Sequence, residues 1–293
     1  MQVVSVIMPT LALVARGALV RRALDSVLGQ QGVRVVPVVV INGPSRDPAL
    51  TRDLRADRRL RVAMLEQPDL PAALRAGREL VDTPFFAELD DDDVLLPGAL
   101  AARVQALQDP PQCDVVVTNG FRRHSGSDTP IMADVSRVEQ NPLGALLERN
   151  WLLPGSWLCR TDAVGPGIFD GMPKFFECTY LALRFATGYR IRFVDRPTVV
   201  WHADTPQSAS KSRDYLLGHV AALRRILELD LPPDVRAGFR CKVAGVHHNI
   251  AARYLREGEL KQAWRWHLQS LREPTGWHHL RFTLRLLQAA WKV

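Results

Sequence analysis

Apolar positions in the first hundred residues alternate between two periods. Val3-Val4-Ser5-Val6-Ile7-Met8 is a nearly unbroken β-branched and apolar run closed by Pro9. That pattern predicts a strand covered on both faces. From Ala18 to Gln30, Leu19, Ala23, Val27 and Leu28 recur at helical spacing, and Gly32 supplies a stop. Val35 to Ile41 predicts a second buried strand, broken by Asn42-Gly43-Pro44. Arg61 to Leu65 predicts a third strand, Pro71 to Val81 a helix with proline in its first turn, and Phe85 to Leu89 a fourth strand. A helix follows from Pro97 to about Leu107, then a strand over Asp114 to Thr118. Further on come a helix over Glu177 to Thr187 closed by Gly188, and strands over Tyr189 to Val194 and Thr198 to His202. From about Tyr215 amphipathic helical stretches dominate. Two of them, Val243 to Arg256 and Leu260 to Leu271, flank Glu257-Gly258-Glu259 like a single helical hairpin.

Strands alternating with helices imply a mostly parallel, Rossmann-like sheet with flanking helices, plus a C-terminal α-helical extension. Ligands of such sheets sit outside the carboxyl ends of the strands. Pro9-Thr10, Asn42-Gly43 and the run Asp90-Asp91-Asp92-Asp93 all fall at those ends.

The acidic run is the candidate chemical centre. It leaves a packed strand, Phe85-Phe86-Ala87, and returns at once to Val94-Leu95-Leu96-Pro97. The end of that strand puts alternating carboxylates on opposite faces, so Asp90 and Asp92 are expected to point one way and Asp91 and Asp93 the other. Carboxylates this close raise one another's pKa unless a cation or hydrogen-bond donors neutralise them. Hard oxygen ligands suit Mg²⁺ or Mn²⁺, which could bridge the phosphates of a nucleotide ligand. The bland alternative is a solvated loop or helix N-cap.

Composition narrows the partners. The formal net charge is +7 over 293 residues, which favours polyanionic or phosphorylated partners. No basic run or nucleic-acid-binding signature accompanies it, so nucleic acid is not expected. Cys113, Cys159, Cys178 and Cys241 form no CxxC pair, which argues against a disulfide framework or zinc site and fits a reducing compartment. The apolar start, Val3 to Ala15, lacks a basic n-region and contains Pro9, so it is read as strand and loop rather than signal peptide. No apolar run is long enough to span a bilayer. The expected location is the cytoplasm, with peripheral contact at the inner membrane face open.

Glu88-Leu89-Asp90-Asp91-Asp92-Asp93-Val94-Leu95-Leu96-Pro97-Gly98-Ala99-Leu100 resembles the f-L-D-x-D-D-x-x-x-P-x-x-L motif of the family 2 glycosyltransferases, which invert and have the GT-A fold. Val3 to Thr10 resembles that family's opening strand. Leu24-Asp25-Ser26-Val27-Leu28-Gly29-Gln30 is similar to its l-x-S-v-l-x-Q helix, and Ala72 to Gly77 to its A-x-N-x-G segment. The likeness covers roughly residues 3 to 208. It implies a donor-binding set of Pro9, Thr10, Asn42, Arg75, Asp90 and Asp91, with Asp90, Asp92 and His202 at the metal. Asn42 stands where the family usually has Asp, so it lacks that charge. The family's E-D-x-d-l-x-x-R helix resembles Glu177-Cys178-Thr179-Tyr180-Leu181-Ala182-Leu183-Arg184. Cys178 occupies the position of the family's catalytic-base Asp, so the resemblance leaves the base role to the adjacent Glu177. Ser208-Ala209-Ser210 resembles a segment that orders over bound donor, with Lys211 or Arg213 near diphosphate.

The implied organisation is a GT-A domain over 1–212, with donor half 1–110 and acceptor half 111–212, and a helical region over 213–293. The implied reaction is inverting, metal-assisted transfer from a nucleotide-diphosphate sugar, UDP-linked by expectation, to a hydroxyl acceptor that is a glycan, a lipid-linked molecule or a small molecule. A relative that binds without turnover is the alternative. A nucleotidyltransferase ranks low, because Pro9 to Gly17 has a single glycine and no phosphate loop. Trp151 to Trp157 could stack on acceptor sugar or belong to the core. His247-His248 and His278-His279 read as packing or surface residues. The C-terminal segment carries Trp264, Trp266, Trp277 and Trp291 among Arg265, Arg272, Arg281, Arg285 and Lys292. It suits a helical cap, a homodimer contact or an anionic bilayer surface.

Overall fold

The computed structural model describes residues 1–205 and 213–291. Ser208, Ala209, Ser210, Lys211 and Lys292 lie outside them, as does the side chain of Arg213. The chain divides into two units, Met1–Met172 with Glu177–Pro206, and Pro173–Phe176 with Gln207–Val293.

The first unit begins β1 (Val3–Thr10), α1 (Gly17–Leu28), β2 (Arg34–Asn42), α2 (Pro48–Ala56), β3 (Arg61–Leu65), α3 (Leu70–Glu79) and β4 (Phe85–Glu88). It continues β5 (Val94–Leu95), α4 (Ala99–Gln108), β6 (Val115–Thr118), β7 (Phe121–His124), β8 (Ser127–Pro130), α5 (Val135–Gln140), α6 (Pro142–Glu148) and β9 (Trp157–Arg160). It closes with α7 (Glu177–Gly188), β10 (Ile191–Val194) and β11 (Val199–His202). A seven-stranded sheet has the order β10-β6-β9-β4-β1-β2-β3. It is parallel except at β9, which runs antiparallel to β4 and β6. A four-stranded sheet, β5-β11-β7-β8, lies beside it in the same unit.

The apolar runs of β1 and β2 are buried along most of their length, as central strands flanked by helices must be. Helix α1 buries Val20, Ala23, Leu24 and Val27. Helix α3 packs close to β1 because Gly77 has no Cβ. One added there would lie 2.4 Å from Ile7 Cγ2 and 3.2 Å from Val40 Cγ2. The predicted elements in this half are present to within a few residues at each end.

Other elements have no counterpart in the sequence reading. Helix α2 is short, and its apolar face is only Leu50, Thr51 and Leu54. Its start was nonetheless written in the sequence: Asp47 accepts from the amides of Ala49 and Leu50, and Pro48 sits in the first turn. The β7–β8 hairpin is half-exposed to exposed, so it shows no apolar run. Trp151 and Trp157 are core residues rather than a sugar platform. Trp151 donates to Pro142 O at 2.9 Å, and Trp157 packs edge-on to Phe86 and Phe185.

The second unit holds α8 (Arg213–Leu227), α9 (Pro233–Arg256), α10 (Leu260–Arg272) and α11 (Phe282–Ala290). Helices α9 and α10 pack as the expected hairpin around Gly258, whose φ of +79° favours glycine. Helix α9 begins ten residues before Val243, where the apolar period first becomes clear. Ala251, Ala263, Phe282 and Leu286 form a small core of their own. Among the described residues no helix is long and apolar enough to cross a membrane.

Candidate active site

The acidic run lies where the chain leaves the seven-stranded sheet at the end of β4 and enters the four-stranded sheet at β5. Strand geometry stops at Glu88. Asp90 to Asp93 close a turn in which the Asp93 amide donates to Asp90 O at 3.2 Å. The period-two alternation expected for the four carboxylates therefore does not apply, and each has its own environment.

Asp91 is turned into a polar anchor. Thr10 Oγ1, at the end of β1, donates to Asp91 Oδ2 at 2.6 Å. Arg16 donates through Nε to both Asp91 oxygens at 3.0 and 3.1 Å, and through Nη2 to Oδ1. The same guanidinium lies 3.3 Å from Asp92 Oδ2. Burial opposes the Arg16 charge, but the two aspartates more than offset it and its pKa is raised. Asp91 and Thr10, both read as donor-binding residues, are thus paired with each other, and Asp92, read as a metal ligand, leans on Arg16.

Asp93 belongs to a different group. One of its oxygens accepts from the His202 amide at the end of β11, at 2.9 Å. His202 Nδ1 lies 3.8 Å from that oxygen, too far for a direct hydrogen bond. Asp93 Oδ2 and His202 Nδ1 are both buried without a hydrogen-bond partner. Burial pushes Asp93 up to about 6, against the pull of His202. Asp90 keeps some solvent exposure, yet burial among Asp93, Glu88 and its neighbours in the run holds its pKa well above the usual carboxylate range. The structure therefore brings His202 to Asp93 rather than to Asp92. Among the described residues no group of three or more His, Cys, Asp or Glu side chains is gathered as a cation site.

Two further residues join this group electrostatically. Glu88, the last residue of β4, is buried. Desolvation and the Glu177 carboxylate push it up to about 8, so at neutral pH it holds a proton. Glu177 opens α7. The residues before it, Phe175 (φ 68°) and Phe176 (φ 61°), occupy the left-handed region that aromatic residues rarely adopt. Cys178 is kept a neutral thiol by burial and by repulsion from Glu88, Asp90, Glu177 and Asp93. Glu88 and Asp93 were not singled out from the sequence. The available signals were a lone carboxylate in an apolar strand and the last aspartate of the motif.

The remaining candidates are spread along the strand ends. Pro9 is buried in β1, opposite Val40 of β2. Asn42, at the end of β2, is buried and accepts from the Asp69 amide at 2.9 Å, tying β2 to the cap of α3. Arg75, on α3, pairs with Glu79 at 3.2 Å and with Asp170.

A seven-stranded, mostly parallel sheet with flanking helices and a second small sheet at the acidic turn is a GT-A-like α/β fold. The chain belongs to glycosyl transferase family 2, whose sequence profile matches residues 5–160. Among solved structures, S. aureus TarS 1–349 in complex with UDP-GlcNAc superposes with a TM-score of 0.61 at 15% identity, over 93% of this chain and 81% of that one. A second structure of S. aureus TarS 1–349 gives 0.54 at 15% identity, over 85% and 72%. Against longer S. aureus TarS the values are 0.54 and 16%, and the chain spans 43% of that protein. No curated protein matches the chain.

Proposed function

We propose that this glycosyltransferase moves a sugar from a nucleotide-diphosphate donor, UDP-linked by preference, to a hydroxyl acceptor with inversion at the anomeric carbon. The observation that carries the reading is the mutual electrostatic reach of Glu88, Asp90, Asp93 and Glu177 where β4 leaves the sheet. So many carboxylates in one partly dry place disfavour their own ionisation, and a bound cation or positively polarised ligand relieves that repulsion. The TarS complex with UDP-GlcNAc supports a uridine donor on this fold.

Glu177 is the proposed base. Inverting transfer needs a carboxylate to take the acceptor proton as the anomeric carbon is attacked. Cys178 is held as a neutral thiol and does not supply one. At the start of α7 the helix dipole favours a Glu177 anion. Glu88 is protonated at neutral pH, so it does not compete for the role.

A divalent ion fits the donor set in part. Asp93 Oδ2 and His202 Nδ1 are buried atoms lacking partners, of the hard and borderline types that Mn²⁺ accepts. Two protein ligands are too few for a closed cage, but such ions are commonly held by one or two side chains plus substrate phosphates. Asp93 and His202, with Asp90 nearby, are the residues that would hold it, and the bound ion would neutralise charge on the departing diphosphate. Asp92 is the less suited of the residues read as ligands, because Arg16 already sits beside it.

The test pairs binding with turnover. Thermal shift against UDP-sugars with and without Mn²⁺ should show stabilisation that needs both. Glu177→Gln should retain that shift and lose transfer by roughly 10²–10⁴-fold. Cation-independent binding would remove the metal from the proposal. Full turnover by Glu177→Gln would remove the base. The neutral thiol of Cys178 at the family's base position favours a second reading, a relative that binds donor without turnover. That reading prevails if binding persists while no donor–acceptor pair reacts.

A further inference from the structure

Helix α11 carries two apolar stripes, and the small helical core uses one. Phe282 and Leu286 are buried, and Thr283 meets His267 Nε2 at 2.8 Å. On another side Leu280, Leu284, Leu287 and Trp291 recur at spacings of four, three and four residues. At 3.6 residues per turn they fall within an arc of about 60°. They are 45% to 91% exposed, and Trp277, in the turn before the helix, is 65% exposed. Single exposed apolar residues are ordinary, whereas an aligned row ending in tryptophan is a surface built to be covered.

Charge indicates what covers it. From Pro274 to Val293 the sequence has Arg281, Arg285 and Lys292 and no acidic residue. Arg281 and Arg285 are exposed, and by helical geometry they flank the stripe on one side. A two-fold contact between copies of this chain would set the segment against itself, with no carboxylate in it to meet the arginines. Leucine and tryptophan facing outward beside arginine are what an interfacial helix presents to anionic headgroups.

We propose that α11 and its preceding turn dock the protein on an anionic membrane surface. The helix lies in the plane of the interface, Leu284, Leu287 and Trp291 enter the headgroup–acyl boundary, and Arg281 and Arg285 contact lipid phosphates. The proposal does not depend on the transferase reading and is testable without a donor or acceptor.

The test is co-sedimentation of the full chain with phosphatidylcholine vesicles, with and without phosphatidylglycerol. Binding should be roughly tenfold or more stronger on the anionic vesicles and should weaken with salt. Leu284→Gln with Trp291→Ser should lower it roughly tenfold. Arg281→Gln with Arg285→Gln should bring anionic binding down to the neutral level. All these positions are exposed, so far-UV circular dichroism should be unchanged. Equal binding to both vesicle types, or variants that sediment like the wild type, would overturn the proposal. So would a concentration-dependent dimer abolished by Leu284→Gln, which would assign the stripe to self-association.

Discussion

Glu88→Gln tests whether the acidic centre is strained in the free protein. Glu88 has its pKa pushed from an ordinary 4.5 up to about 8, first by burial and then by the Glu177 carboxylate. Between those values the folded chain keeps a proton that the unfolded chain has released. The unfolded state then binds fewer protons, so stability falls as pH rises. The loss is about 1.4 kcal/mol per pH unit, reaching about 3 kcal/mol at pH 7, about 4 kcal/mol at pH 8 and about 5 kcal/mol above pH 9. Glutamine has the shape of the protonated acid and cannot ionise, so the variant should escape this loss. Urea unfolding of both proteins in chelator, followed by tryptophan fluorescence, gives the difference at each pH. It should be small at pH 5 and grow in the variant's favour to pH 8. Glu177→Gln removes the second cause, so the loss should begin at the same pH, level off at lower pH and be smaller. A difference that is flat with pH, or one in which the wild type gains on the variant as pH rises, would refute the reasoning.

Three other perturbations separate structural from functional residues. Asp91→Asn removes the main partner of a partly buried guanidinium, leaving it Asp92 alone, and should lower the stability of the first unit by about 1–3 kcal/mol in urea titrations, while Asp91→Leu with Arg16→Met should recover most of it. Gly77→Ala should cost about 1–3 kcal/mol from the clash with Ile7, whereas Gly188→Ala, which meets nothing within 4 Å, should be near neutral in the same assay. His219 and His248, lowered to about 4 chiefly by burial, are neutral in the fold. Protons then bind the unfolded chain first as pH falls from about 6.5 toward 4, so these two histidines should cost the helical unit stability across that window and nothing above it. Thermal melts of His219→Phe should show a smaller acid-side loss than the wild type.

The sheet was legible because its strands are buried on both faces and therefore read as continuous apolar runs, as in β1 and β2. Elements that pack by one short face left no such trace. Helix α2 shows three buried positions, and β8 has none. Strand β9 is buried but only four residues long, so nothing local separated Trp157–Arg160 from the loop before it. The acidic run was visible at once, but not its division of labour. The chain turns at Asp90 instead of continuing extended, which a period-two reading does not contain. Arg16, the residue that captures Asp91, is 75 positions away and follows a loop with no motif. Glu88 could have been flagged, since a carboxylate inside Phe85-Phe86-Ala87-Glu88-Leu89 must be either paired or protonated.

The division within the run has a physical logic. A single arginine and a threonine hydroxyl satisfy Asp91, and the same arginine reaches Asp92, so this half of the turn is neutralised by the protein itself. Among the described residues no comparable cation serves Asp90, Asp93 or Glu88; the partner of Asp93 is a backbone amide and a histidine whose ring does not reach it. Had the whole run been neutralised internally, a ligand would gain nothing by bringing charge to it. Had none of it been, the turn would have no fixed shape on which to receive a ligand. On the proposed function, anchoring one half by Arg16 would hold the geometry, and the under-neutralised half would hold electrostatic free energy for a cation–diphosphate pair to release on binding. This accounts for the unfavourable burial at Glu88, Asp90 and Asp93. It also sets the sign of the coupling: a cation held there should bind more tightly as pH rises and these carboxyls give up their protons.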